Sequence, residues 1–237
     1  MRFQEKTAGF FLTAILMVSW SQRAAADSDR VVNSTLDALA STAAIVEGRV
    51  ASHSLTYDRA AGPRTIATLD DVRSQFGRYD DRTLQLAMLG GRVSESRWLF
   101  IPELPRLTDD TRYLIFLTSS AWFYSPVVAD YIFRLEPGPR GSDVLITPEG
   151  HAVVGLSAEG LEISPDPVVE TRFDFLTPYA KPRLLDSDPS LLASAMSKEA
   201  FLAALQDLMR TVPLRGEFLT SPASDRVWNQ IPAAEDR

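Results

Sequence analysis

The chain has 237 residues, carries 24 Lys and Arg against 31 Asp and Glu for a net charge of −7, and contains no cysteine. The acidic balance disfavours nonspecific binding to nucleic acid or anionic lipid. The lack of cysteine excludes disulfides, thiolate metal sites and a cysteine nucleophile, so a core drawn from the 45% hydrophobic residues has to hold the fold.

The first 26 residues predict a secretory signal peptide. Arg2 and Lys6 form a basic start, Ala8 to Trp20 is apolar, and Ala24-Ala25-Ala26 offers a small-residue cleavage site before Asp27. The apolar stretch is shorter than the roughly 20 residues of a membrane span, and no cysteine is present to take a lipid. The reading is an exported protein, periplasmic or extracellular, with no stable membrane span after cleavage. Lysine stands only at positions 6, 181 and 198, the remaining basic residues being arginine. That bias fits GC-rich coding and, with the leader, points to a bacterium.

Residues 27–43 predict an N-terminal helix. Val31, Val32, Thr35, Leu36 and Leu39 share a face, and Asp27, Ser28 or Asp29 is placed to cap it. From Ala44 the pattern turns to β. One run extends from Ile45 to Tyr57, residues 59–63 (RAAGP) make a turn, and a second run from Thr65 closes at Phe76-Gly77. Thr83 to Leu89 alternates and predicts a strand with one wet face, stopped by Gly90-Gly91. Trp98 to Ile101 lies before Pro102 and suits a strand end. Tyr113 to Leu117 is continuously apolar and predicts a central strand buried on both faces. Tyr131–Leu135, Val144–Ile146 and Ala152–Val154 are shorter strands, separated by turns carrying Pro137-Gly138-Pro139 and Pro148-Glu149-Gly150. The fold expected is mainly β: a compact barrel or sandwich of short strands over residues 44–164, with the N-terminal helix and a C-terminal helix packed against it. Residues 165–213 form a proline-rich connector and that helix. Ser197 caps it, and Phe201, Leu205, Leu208 and Val212 line its apolar face, beside Leu202 and Met209. Residues 214–237 read as a polar tail.

Five stretches have a recognisable order: Ile45 to Val50 (IVEGRV), Leu84 to Gly91, Ile101 to Pro105 with Arg112 to Leu117, Val153 to Leu156, and Met196 to Leu202. In order and spacing they resemble an uncharacterised family of exported bacterial proteins built on a small β-barrel-like domain, over roughly residues 43–212. The resemblance implies a fold and carries no activity and no site residues.

Chemistry-bearing motifs fail on spacing. Gly155-Leu156-Ser157-Ala158-Glu159-Gly160 places its second glycine one residue late for a nucleophile elbow and reads as a β-hairpin turn. Ser194 and Lys198 are one residue too far apart for a Ser-x-x-Lys dyad, which leaves Lys198 a first-turn helix residue. His53 and His151 are the only histidines. They have no metal-ligand spacing, and His151 reads as an exposed turn residue. The acidic pairs Asp70-Asp71, Asp80-Asp81, Asp109-Asp110 and Asp186/Asp188 read as solvated turns. No metal, nucleotide or other cofactor is expected, and no catalytic residue is assigned. The stretch Trp122-Phe123-Tyr124 stands apart. Three successive aromatics between two strands cannot all face one core, so these residues are the candidate binding site, for an envelope or secreted protein or a glycan. The expected function is a non-catalytic binding or interaction module. The alternative is a hydrolase with an active site of Asp and Glu groups.

Overall fold

The computed structural model describes residues 34–58, 62–94, 97–99, 101, 106–118, 126–170, 183–184 and 189–214. Residues 1–33, which include the expected signal peptide, and Trp122, Phe123 and Tyr124 lie outside the described residues. Helix α1 (Thr35–Ser41) leads into strands β1 (Thr42–Asp58), β2 (Gly62–Gly77), β3 (Leu84–Leu89), β4 (Gly91–Ser94), β5 (Arg97–Leu99), β6 (Arg112–Thr118), β7 (Val127–Pro137), β8 (Asp143–Ile146), β9 (His151–Leu156), β10 (Leu161–Pro167), β11 (Val169–Glu170) and β12 (Arg183–Leu184). Helices α2 (Pro189–Ser194) and α3 (Lys198–Met209) follow. Among the described residues, no helix is long and apolar enough to cross a membrane.

Eight strands form one antiparallel sheet in the order β10-β9-β8-β7-β6-β1-β2-β3. The chain is mainly β, as its alternation predicts, but the sheet is not closed into a barrel: β3 and β10 are its two ends. Nor are all the strands short, since β1 has 17 residues and β2 has 16. The physical reason lies in the apolar load. In β6, Tyr113, Ile115 and Leu117 enter one core while Leu114 and Phe116 enter another on the opposite face. A small barrel buries only its inner face, whereas this sheet buries both and needs a second layer over one of them.

That layer is helical. Phe201 and Leu205 of α3 and Ala38 and Leu39 of α1 are fully buried against Ile45, Leu114, Phe116, Phe133 and Leu145. Phe133 meets Phe201 edge-on with ring centroids 5.1 Å apart, and Phe116 meets Phe133 at 6.2 Å. Such pairs add about 0.5–1.5 kcal/mol beyond area burial. Ser34 caps α1 by accepting from the Asp37 amide, and Ser197 caps α3 by accepting from the Ala200 amide. The cap of α1 is thus Ser34 within the described residues, later than the sequence pattern placed it. Tyr131 Oη donates to Thr35 Oγ1 at 3.0 Å and ties α1 to β7.

The other face holds Val46, Val50, Ala67, Leu69, Leu84, Leu86, Tyr113, Ile115 and Leu117, with Leu107 laid over it. The buried Tyr113 Oη accepts from the Thr108 amide at 3.0 Å, which fixes the covering segment. At the end of the sheet, β10 carries Pro165 and Pro167. Proline has no N–H to give a neighbour and suits an edge strand.

Candidate functional site

A β-bulge builds the site. Glu47 pairs with Arg73 and Arg49 with Asp70, so Gly48 alone on β1 faces both Asp71 and Val72 on β2. Two residues against one bend the bulged strand and re-aim its side chains. A Cβ on Gly48 would lie 3.1 Å from Val72 Cγ2, 3.2 Å from Leu69 Cδ2 and 3.3 Å from the Asp70 carbonyl oxygen. Glycine permits that approach. Asp71 takes a positive φ of 51°, a conformation aspartate tolerates better than most residues, and is exposed.

Around the bulge lies a pocket of about 270 Å³, lined by Glu47, Gly48, Arg49, Asp71, Arg73 and Arg112. Arg49 is opposite Arg112 across β1 and β6, and Glu47 is opposite Leu114, a residue of the helix-covered core. Residues directly opposite in a ladder share a face, which puts the pocket on the same face of the sheet as the helices.

Its floor is a charge network joining five elements. Arg112 Nη2 donates to Glu47 Oε1, Arg112 Nη1 donates to Asp143 Oδ2 at 2.8 Å, Lys198 Nζ donates to Glu47 Oε2 at 3.0 Å, and Gln75 Nε2 donates to the same oxygen at 3.3 Å. Lys198 also stands 3.9 Å from Asp143. The Glu47 side chain is only 10% exposed, against 37% for Arg112. Burial pushes the Glu47 carboxyl up, but the hydrogen bonds and charges of Arg112 and Lys198 outweigh it and hold the group below the ordinary carboxylate value. The bond to Glu47 in turn holds Arg112 above its ordinary value against burial. Glu47 is therefore a fixed, neutralised anion.

The rim differs. Arg49 and Arg73 are both exposed. Among the described residues neither makes an ion pair or a side-chain hydrogen bond. The network consumes Glu47 and leaves two planar cations and the Asp71 carboxylate as the exposed charges of the lining.

The residues singled out from sequence are placed differently. His53 lies opposite Ala67, so it shares the face of the other core. Its side chain is 4% exposed, and its Nδ1 is 2.6 Å from Asp109 Oδ1. The backbone bonds Val50 N to Thr111 O and Asp110 N to Val50 O hold the same turn to β1. The pair is a clamp that ties the Asp109-Asp110 turn to the sheet. His151 begins β9 and is half-buried, with Nδ1 2.8 Å from the Ser164 carbonyl, which makes that nitrogen the donor. It is no exposed turn residue. The Ser157–Gly160 segment is a hairpin turn, closed by Ser157 N donating to Gly160 O at 3.0 Å. Asp70-Asp71 lies at the bulge within β2, not in a turn. Lys198 is a first-turn helix residue whose ammonium also completes the network. Among the described residues no cluster of three His, Cys, Asp or Glu is placed to hold a metal.

No protein-family profile, curated protein or solved structure matches the chain.

Proposed function

We propose that the chain is an exported, non-catalytic binding module, mature from Asp27 in the periplasm or the medium, and that its ligand sits in the pocket at the Gly48 bulge. The observation that carries this reading is the split between a self-neutralised floor and an unpaired cationic rim. Arg112, Lys198 and Gln75 hold Glu47, while Arg49 and Arg73, among the described residues, make no ion pair or side-chain hydrogen bond. A preformed floor with exposed donors above it suits ligand binding, because ordering cost on association falls on the rim side chains and not on the floor. The hydrolase alternative needs a carboxyl kept protonated near neutral pH. Glu47, the carboxyl best placed in the pocket, is pushed the other way.

The loop carrying Trp122, Phe123 and Tyr124 is retained as a second proposed contact, for an envelope or secreted protein or a glycan. Its flanking residues are joined, Thr118 N donating to Pro126 O at 3.0 Å. If the loop is a contact, Trp122→Ala leaves stability unchanged. A loss of several kcal/mol would mark Trp122 as core instead.

Differential dialysis tests the pocket. Mature protein and an Arg49→Gln/Arg73→Gln variant are equilibrated against a small-molecule extract of the cell envelope, and bound species are read by mass spectrometry. The reading expects species enriched by the native protein and lost from the variant. Equal enrichment by both proteins, or enrichment by neither, refutes it.

A further inference from the structure

We infer that the ligand of this pocket is a small oxyanion bearing a hydroxyl group, a hydroxycarboxylate or a sugar phosphate. The inference rests on the pocket being the binding site. Of the six lining residues three are arginines and two are carboxylates. One of those carboxylates, Glu47, is already bonded to Arg112 and Lys198. What the pocket offers a guest is therefore the guanidinium groups of Arg49 and Arg73 and the single carboxylate of Asp71. Guanidinium is a planar fork that matches carboxylate and phosphate oxygens two at a time, and it stays charged at every physiological pH. Asp71 is acceptor-only when ionised, so beside a bound anion it takes a hydroxyl hydrogen and repels a second charge.

Size and long-range charge narrow the class. A volume of about 270 Å³ lies just under the usual range of roughly 300–1,000 Å³ for small-molecule pockets. It is too small to enclose a lipid or an extended polyanion. The chain as a whole carries −7, which repels large anionic surfaces and polymers that come to within about a Debye length. A local cationic rim on an acidic protein selects small anions that approach within that length.

Isothermal titration calorimetry at low ionic strength tests this with five probes: malate, succinate, glycerol 3-phosphate, inorganic phosphate and glucose. Arg49→Gln, Arg73→Gln and Asp71→Asn probe the site, and Arg140→Gln, an exposed arginine in the turn between β7 and β8, controls for bulk charge. Malate or glycerol 3-phosphate should bind. Each of Arg49→Gln and Arg73→Gln should weaken that binding about tenfold or more, while Arg140→Gln leaves it unchanged. Asp71→Asn should erase the preference for malate over succinate, or for glycerol 3-phosphate over inorganic phosphate. Whichever of the two preferred probes binds more tightly tells a carboxylate source from a phosphate source. Glucose binding as well as the anions, no heat from any anion, or an equal loss in Arg140→Gln overturns the inference. Both rim arginines are exposed and, among the described residues, make no ion pair, so their variants should melt with the native protein. If dialysis yields a neutral ligand that still depends on Arg49 and Arg73, the pocket stands as the site and the oxyanion inference alone fails.

Discussion

Replacing Glu47 with glutamine removes the anion on which Arg112, Lys198 and Gln75 converge while keeping the shape of the side chain. Breaking a fully buried pair costs about 3–5 kcal/mol, and an exposed pair is worth about 0–1 kcal/mol. Glu47 is nearly buried, but Arg112 is 37% exposed, and both Arg112 and Lys198 keep Asp143 as a partner. The loss therefore falls between the limits, at about 2 kcal/mol near neutral pH. For a domain of this size that corresponds to a fall in Tm of about 4–8 °C. The pH dependence is more diagnostic than the size. The folded-state carboxyl is held below its ordinary value of 4.5, so its contribution is complete above that value and is lost as pH falls through the folded-state value. Urea midpoints measured for both proteins from pH 7 to pH 3 should show a gap that is constant above about pH 5 and narrows below it. A gap that is absent at pH 7, or unchanged down to pH 3, would refute the view that Glu47 is a charged keystone.

Three further outcomes follow from the packing. Phe201→Ala should cost about 3–5 kcal/mol in chemical denaturation, because the ring is fully buried between the helix and Phe133. Gly48→Val should cost about 1–3 kcal/mol, because the new side chain meets Val72, Leu69 and the Asp70 carbonyl. Its amide spectrum should change at residues 70–73 if the bulge gives way. Tyr113→Phe leaves the Thr108 amide without its acceptor and should cost about 1–3 kcal/mol, with faster amide exchange at Thr108.

Local features of the fold were legible. The alternation of Leu84–Leu89, the continuous apolar run at Tyr113–Leu117, the hairpin turn at Ser157–Gly160 and the Ser197-capped helix all follow from periods and caps that a few residues encode. Closure was not legible, because it depends on whether the two end strands meet, and nothing local in β3 or β10 specifies that. A hint lay in β6, where both parities are apolar and so both faces need cover. The pocket was hidden for the same reason. Glu47 reaches Arg112 across 65 positions and Lys198 across 151, and no local window links them. Two local signals were available. An isolated glycine inside a strand pattern, Gly48, marks a bulge, and the Asp70-Asp71 pair stood on the strand opposite it. Read as a turn, that pair concealed the site.

The central claim is that ligand binding occurs at the Gly48 bulge. Its most direct test is an amide chemical-shift map of the mature protein, taken as the small-molecule extract of the cell envelope is added. The account predicts saturable shifts concentrated at residues 47–49, 70–73 and 112. Shifts confined to residues 119–125, or no saturable shift at any amide, would contradict it.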